Sequence, residues 1–507
     1  MKKIPPHLDA YQWPPSTDEL AKRVGLDPAQ ILRFDGNVPA MPPATARPAT
    51  IARALADINE YDRGRYPALR QAIADYHNVD VSQVVLGAGS DELIVTCARL
   101  FAQGGTIATV PSNSYSMYRF AAGMANATVT DDVTNADLVF VCRPNNPTGE
   151  MPDVPSVNGQ LIVDEAYADY AGVSVIDRVN EGLIVLRTFS KAFGLAGARV
   201  GYAITTPELA AAIAARVPPL SVSALSAALA LAALQSPPDV SAQVAERERL
   251  AAELSDRGLQ PLPSFTNFLF IPLEDPERYV EGLLPYGIVT RAYPGALRIS
   301  VRDELDDDRL LEALSDFQAG IAPRNIPTLF RRATAETALS IRLRIPGQGR
   351  VYVNTGEGFY DHMVQQMAFH GGFDLRLEGA GDLETGDHHT VEDMMRALGD
   401  AFAATLGDRK GLARYGESRV PMDEALAHAV VDLSGRPMAQ ISITPDPGMA
   451  THALESFVQQ AKITLHVTST GSNAHHVAEA SFKAVGRALA EALRRDGGVI
   501  RSTKGSL

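Results

Sequence analysis

Residues 187–202 read RTFSKAFGLAGARVGY. The stretch follows the apolar run LIVL at 183–186 and sets Lys191 among small and apolar neighbours. An amine in such surroundings has a depressed pKa, which imine (Schiff-base) chemistry requires. Ser190 and Arg199 lie on either side, a hydroxyl and a guanidinium fork suited to a phosphate. Upstream, LIVDEAY (161–167) ends an apolar run at Asp164, where a carboxylate can keep a pyridine nitrogen protonated and make the ring an electron sink. RPNNPTG (143–149) places Asn146 just past another apolar run. GAGSDE (87–92) opens a helix whose first amides, around Ser90 and Asp91, form an anion site. Each signal alone reads as a surface lysine, a helix cap or a turn. Their order along one chain carries the reading.

Around these motifs, apolar runs alternate with helical patterns: VVLGAGS (84–90), DELIVTCARLFA (91–102), TIATVPS (106–112), DLVFVCRP (137–144), LIVDEAY and LIVLRTF (183–189). Buried parallel strands joined by helices produce this alternation, so the first part is predicted to be an α/β layered sheet. ELAAAIAARVPP (208–219) and SALSAALALAALQS (223–236) read as helices stopped ahead of proline.

At 507 residues the chain is too long for one ordinary domain. Only two of its 11 histidines, His7 and His77, precede residue 330, so the later segment has a different chemistry. FQAGIAPRNIPTLF (317–330) follows a predicted helix, DDRLLEALSDF (307–317), and lacks sustained periodicity. The expected division is therefore a domain at 1–320, a linker at 321–328 and a domain at 329–507. A net charge of −14 argues against nucleic-acid binding. There is no apolar run of membrane-spanning length and no secretory signal. The two cysteines, Cys97 and Cys142, sit in apolar contexts and read as buried hydrophobes, and a cytoplasmic location is expected.

The first part resembles the fold-type I pyridoxal-phosphate aminotransferases over about 30–320, most closely the histidinol-phosphate aminotransferases, through RYP (65–67), NPTG, VDEAY, FSKAFGLAGARVGY and ALRIS (296–300). The resemblance implies pyridoxal 5'-phosphate as cofactor, with Lys191 joined to it as a Schiff base and later shuttling a proton. Asp164 would pair with the pyridinium, Asn146 and Tyr167 with the ring hydroxyl, and Tyr115 would stack on the ring. Ser190, Arg199 and the amides near Ser90 and Asp91 would hold the phosphate. Tyr66 would reach a neighbouring subunit's site, Arg298 would bind the carboxylate of glutamate (or 2-oxoglutarate), and Asn37 would touch substrate. An aromatic amino-acid aminotransferase and a phosphate-ester decarboxylase are the alternatives within the same fold.

The second part reads as α+β. ALSIRLRI (338–345) and GRVYVNTG (349–356) are predicted strands; the stretches 389–407 and 475–495 are predicted helices. Both helices open on the same pattern, GDHHTVED (386–393) and NAHHVAEA (473–480), which implies an internal duplication. Within each motif a glutamate shares a helix face with one histidine: His388, His389 and Glu392 in one, His475, His476 and Glu479 in the other. Adjacent histidines diverge by about 100°, so both of a pair cannot reach one ion, and two ions per site set follow. Imidazole and carboxylate without thiolate suit manganese, iron or zinc.

This part resembles imidazoleglycerol-phosphate dehydratase over about 328–507, through RRATAET (331–337), YDHMVQQMAFHG (360–371), GDLETGDHHTVEDMMRALG (381–399), ARYGESRVPMDEALAHAVVDLSGRP (413–437), SNAHHVAEASFKA (472–484) and STKGSL (502–507). The resemblance implies two Mn2+ ions held by His362, His388, His389, Glu392, His452, His475, His476 and Glu479. His466 would be structural. Arg414, Arg436, Ser502 and Lys504 would bind the substrate phosphate, and Glu336 and His370 would contact substrate. Glu336, together with Glu392 and Glu479, would stand at the reacting atoms, Glu336 as the proton-transfer carboxylate. Acidifying the substrate imidazole lets it expel the neighbouring hydroxyl; loss of the adjacent C–H proton then gives an enol and its ketone. That ketone, imidazole acetol phosphate, is what the first domain would transaminate to L-histidinol phosphate. The expected whole is a bifunctional enzyme of histidine biosynthesis acting on imidazole phosphates. It would be a homo-oligomer: aminotransferases of this type are dimers, and the dehydratases form 24-subunit particles. A non-catalytic, metal-dependent assembly scaffold is the alternative for the second part.

Overall fold

The computed structural model describes residues 13–40, 43, 51, 54–56, 58–62, 64, 66–323, 326 and 328–497. The chain forms two compact units, one made almost wholly of residues up to 324 and the other of residues from 325 onward together with the short segment Asp27–Gln30.

The first unit is built on a seven-stranded sheet in the order Val84–Gly87, Gly201–Ile204, Ile184–Thr188, Gln160–Asp164, Leu138–Cys142, Thr106–Val110, Thr128–Val129. Gly201–Ile204 runs antiparallel to both of its neighbours, and the strands from Ile184–Thr188 onward are parallel. The uninterrupted apolar runs follow from burial on both faces, because successive side chains in a strand point to opposite sides. Val139 and Val141 pack with Val163 and Val185 on one face, under helices Pro67–His77 and Ala224–Gln235. Leu138, Phe140 and Cys142 pack with Ile162, Ile184 and Leu186 on the other, under Ser90–Phe101 and Ser116–Met124. Cys97 and Cys142 are buried and free, as predicted. Register aligns Cys142, Asp164 and Leu186 across three strands, so the loops carrying Asn146, Asp164 and Lys191 leave the same edge. Ligands of open α/β sheets bind at that edge.

A second layer, the antiparallel sheet Arg291–Tyr293, Ala296–Ser300, Phe268–Pro272, packs on Ser241–Asp256 and Glu304–Ala319. The latter helix ends at Gly320, whose φ of 69° lets the chain turn out of the helix.

The second unit repeats one plan twice: three strands, a helix, a strand and a second helix, with one 3-10 turn at Leu383–Thr385. The first sheet runs Thr328–Ala333, Thr337–Arg344, Asp374–Gly381, Val351–Asn354; the second runs Tyr415–Met422, Ala425–Asp432, Thr464–Thr470, Met438–Thr444. In both sheets the first three strands are antiparallel neighbours and the last pairs in parallel. The duplication inferred from the two histidine motifs is thus a duplication of topology. One apolar core spans both halves, and strand alternation supplies it: Ala425, Ala427, Ala429 and Val431 point inward while Leu426 and Val430 are exposed.

The helices cross between halves. Gly399, on His388–Leu406, lies so close to Ala450–Ala461 that a Cβ would stand 2.6 Å from the Phe457 carbonyl oxygen. Gly486, on Ala474–Ala492, lies against Gly358–Gly371, where a Cβ would stand 2.2 Å from the Met367 carbonyl oxygen. Each histidine-pair helix therefore packs on the first helix of the other half. No helix among the described residues is long and apolar enough to cross a membrane.

Candidate active sites

At the sheet edge of the first unit, Asp164 ends its strand almost fully buried and accepts hydrogen bonds from the Tyr118 hydroxyl at 2.7 Å and the Ala166 amide at 3.1 Å. Burial pushes its carboxyl up to about 6, the condition of an anion that lacks a cationic partner. Lys191 follows Ile184–Thr188, and its Nζ donates to the Asn37 carbonyl at 3.3 Å. Burial, with Arg298 and Arg199 nearby, pushes this amine down to about 8, the direction expected from its neighbours in the sequence.

Asn37 is held by further contacts, and Ser300 Oγ donates to its Oδ1 at 3.0 Å. Its Nδ2 donates to the Tyr167 hydroxyl at 3.1 Å, its amide to Ser300 Oγ at 2.9 Å, and its carbonyl accepts from Asn267 Nδ2 at 3.1 Å. It adopts φ 52°, in the left-handed region that asparagine tolerates. Arg298 donates to Asn146 Oδ1 at 2.6 Å and to the Asp35 carbonyl at 2.8 Å, and its buried Nε has no hydrogen-bond partner among the described residues. At the helix N-terminus, Arg199 pairs with Asp91 at 2.9 Å, and the Tyr115 hydroxyl donates to the same carboxylate at 3.1 Å. The backbone here admits no side chains: a Cβ on Gly89 would meet the Arg199 guanidinium at 2.6 Å, and one on Gly201 the Ser90 amide at 2.4 Å. Ser190 is buried, and its amide donates to Thr188 Oγ1.

Hydrogen bonds thus link Lys191, Asn37 and Tyr167 in one network and Asp91, Tyr115 and Arg199 in another, while Arg298 holds Asn146. Tyr66 belongs to neither; its hydroxyl donates to the Val222 carbonyl at 2.9 Å. Two contributors were not singled out from sequence. Tyr118 stands three residues after Tyr115 on the same helix face, a spacing that offered the signal. Asn267, distant in sequence, offered none.

In the second unit two trios of donors form, each across the halves. His362, His475 and Glu479 place ligand atoms all within 4.8 Å of one another, as do His388, Glu392 and His452. His475 Nε2 lies 3.2 Å and His362 Nε2 3.6 Å from Glu479 Oε2; His388 Nε2 lies 3.7 Å from Glu392 Oε2 and His452 Nε2 3.9 Å from Glu392 Oε1. Donors each about 2.1 Å from one ion stand roughly 3.0 Å apart when adjacent and up to roughly 4.2 Å apart when opposite in an octahedron, so these histidine–glutamate separations suit a transition metal. His452 Nε2 is moreover buried with no hydrogen-bond partner among the described residues, an orphan that a metal would satisfy. In each trio the glutamate is also tied to a cation one turn on: Glu392 to Arg396, through the oxygen that faces His452, and Glu479 to Lys483, both at 2.7 Å.

His389 and His476 enter neither trio, although the sequence grouped them with the ligands. His389 Nδ1 meets Asp382 at 3.0 Å, and His476 Nδ1 meets Glu424 at 2.9 Å. Glu336 lies 3.8 Å from His389 Nε2. Its turn is fastened to the histidine helix by Asp393, which accepts from Thr337 Oγ1 at 2.6 Å, Thr334 Oγ1 at 3.2 Å and Arg332 Nε at 2.9 Å. Asp393 is a third contributor the sequence reading did not name, and it explains why RRATAET and HHTVED belong together. His370 ends its helix beside Lys483 and Arg487, and burial with those cations lowers its pKa. Arg414 grips Asp432 through Nε at 2.7 Å and Nη2 at 3.1 Å. Arg436 is exposed past the strand end, and His466 lies on an exposed strand face. Ser502 and Lys504 lie outside the described residues.

Against known families, residues 29–314 match the model of aminotransferase class I and II, and residues 355–489 match that of imidazoleglycerol-phosphate dehydratase. Among curated relatives, an imidazoleglycerol-phosphate dehydratase of Acidothermus cellulolyticus is 47% identical over 197 residues, 37% of this chain and 96% of that protein. One of Streptomyces avermitilis is 48% identical over 189 residues, 35% of this chain and 96% of that protein. Among solved structures, a histidinol-phosphate aminotransferase of Sinorhizobium meliloti in complex with pyridoxal-5'-phosphate aligns with TM-score 0.56 and 24% identity over 63% of this chain and 98% of that one. An L-threonine-O-3-phosphate decarboxylase of Porphyromonas gingivalis aligns with TM-score 0.51 and 20% identity over 57% of this chain and all of that one. These two structures share the fold.

Proposed function

Because the chain belongs to the class I and II aminotransferase family over its first part and to the imidazoleglycerol-phosphate dehydratase family over its second, we propose that it performs two consecutive reactions of histidine biosynthesis. It is a bifunctional enzyme. The second domain dehydrates D-erythro-imidazole-glycerol phosphate to imidazole acetol phosphate, and the first transaminates that ketone with glutamate to L-histidinol phosphate. The observation that carries the reading is the joining of these two sites in one polypeptide, since the ketone released by one is an amino acceptor for the other. The boundary is read as a domain at 1–320, a linker at 321–328 and a domain at 329–507, and the cytoplasm as its location.

Pyridoxal 5'-phosphate, when bound, supplies an electron sink that acidifies the substrate Cα–H. The residues fit it. Asp164 is a buried carboxylate short of a cation and suits a pyridinium, while Lys191 is an amine with depressed pKa suited to moving the Cα proton. Asn146 and Tyr167 would hydrogen-bond the ring hydroxyl and Tyr115 would stack on the ring. Ser190, Arg199 and the helix amides at Ser90 and Asp91 hold the phosphate, with Tyr66 serving a neighbouring subunit's site. Arg298 and Asn37 hold the amino-acid substrate.

Two Mn2+ ions, when bound, acidify the substrate imidazole. The two trios hold them, and His389 and His476, lying in neither trio, complete the ligand sets with other copies in a homo-oligomer of up to 24 subunits. Glu336 moves the carbon-bound proton. His370 positions the substrate, and Arg414, Arg436, Ser502 and Lys504 take its phosphate.

The test supplies the full-length enzyme with imidazole-glycerol phosphate, glutamate, pyridoxal 5'-phosphate and Mn2+ and follows products by mass spectrometry. Histidinol phosphate is expected from the wild type, the ketone alone from Lys191→Ala, and neither from His388→Ala. Preference for phenylpyruvate over the imidazole ketone would refute the transaminase assignment, and dehydration surviving in His388→Ala would refute the metal site.

A further inference from the structure

Only one histidine of each pair reaches a trio, because neighbours on a helix diverge by about 100°. The other two, His389 and His476, each bring Nδ1 to a carboxylate, Asp382 or Glu424. These carboxylates come from non-equivalent places. Asp382 directly follows strand Asp374–Gly381, ahead of its histidine helix. Glu424 sits in the turn between Tyr415–Met422 and Ala425–Asp432. The duplication gives Glu424 a counterpart in the first half: Glu336, in the turn between Thr328–Ala333 and Thr337–Arg344.

The two equivalent glutamates differ in what binds them. Glu424 accepts from His476 Nδ1 at 2.9 Å and from the amides of Asn473 at 2.7 Å and Ser472 at 3.2 Å. Glu336 approaches the opposite ring nitrogen, Nε2 of His389, at 3.8 Å, and its carboxylate makes no hydrogen bond among the described residues. The Nδ1 that Glu336 would otherwise serve is taken by Asp382, which also accepts from Thr385 Oγ1 at 3.0 Å.

A carboxylate on one imidazole nitrogen fixes the tautomer and ring orientation and makes the other nitrogen a better ligand. We infer that Asp382 and Glu424 are the positioning residues of His389 and His476, presenting each Nε2 to a metal ion, and that Asp382, by taking this role in the first half, leaves Glu336 as the one of two equivalent glutamates free to move a proton. The inference rests on the reading of His389 and His476 as ligands.

The test measures Mn2+ binding to the dialysed full-length enzyme from the electron-paramagnetic-resonance signal of free Mn2+. Asp382→Asn and Glu424→Gln are expected to weaken binding by about 10–100-fold. Asp382→Glu and Glu424→Asp should recover part of it, and all four should unfold at the wild-type temperature in EDTA. Glu336→Gln is expected to bind Mn2+ as the wild type does while losing dehydration. Wild-type affinity in Asp382→Asn and Glu424→Gln, or a loss in Glu336→Gln as large as in Glu424→Gln, would overturn the inference. His389→Ala and His476→Ala separate the two levels. Undiminished Mn2+ binding in them defeats the ligand reading itself. Diminished binding there, with none lost in the carboxylate variants, defeats only the positioning roles.

Discussion

His362 and His452 occupy the same place in the two halves of the second unit: each stands five residues ahead of the residue, Met367 or Phe457, whose carbonyl receives a glycine of the opposite histidine helix. The equivalence makes His452, set in the weakly marked sequence MATHALE, a counterpart of His362 in the well-marked YDHM. Replacing either by alanine should remove one Mn2+ of two and leave the other bound. Metal content after dialysis measures this, and loss of both ions from a single variant would show that the trios are not separate sites.

The helix crossings are predicted to be intolerant of a single methyl group. Gly399→Ala and Gly486→Ala each push a Cβ into backbone at 2.6 and 2.2 Å. Overpacking of this kind costs about 1–3 kcal/mol, and backbone cannot yield as a flexible side chain does. Calorimetry of both variants should show the second unit's transition lowered and the first unit's unmoved.

Asp164 makes a pH-dependent contribution to the cofactor-free protein. Its folded pKa, about 6, exceeds the ordinary 3.8, so its stabilising share is full below 3.8 and is lost as pH rises through 6. Asp164→Asn should therefore unfold at a higher temperature than the wild type at pH 8, by an amount corresponding to about 1–3 kcal/mol, with the gap closing below pH 4. Transamination should be abolished in the same variant.

Tyr118→Phe removes the hydroxyl whose hydrogen bond lowers the Asp164 pKa. A hydrogen bond to a charged group contributes about 1.5–3 kcal/mol, so affinity for pyridoxal 5'-phosphate should fall roughly tenfold or more. Absorbance titration reads this directly, and an unchanged affinity would place the cofactor's ring nitrogen elsewhere.

Asp393→Ala should loosen the turn carrying Glu336 without touching a metal trio. Dehydration is expected to slow about 10–100-fold, as misplacement of a reacting group does, with Mn2+ retained. Loss of Mn2+ instead would mean that Asp393 serves Glu392 and its helix.

The sequence by itself determined whatever is local. Strand ends at Asp164 and at Thr188 just ahead of Ser190 and Lys191, the glycine-opened helix at Ser90 and the i, i+4 pairing of His388 with Glu392 and His475 with Glu479 all follow from patterns within a few residues, where period and spacing fix which side chains share a face. The repeat of the two histidine motifs foretold the duplicated topology for the same reason. Only the tertiary structure decided which distant residues join them. His362 meets a helix more than a hundred residues later, Asn37 reaches Tyr167, Tyr118 reaches Asp164, and Asp382 in place of Glu336 takes the inner nitrogen of His389. Those partnerships depend on helix crossings and sheet register, set by core packing summed over both halves, and no short window of sequence contains that sum.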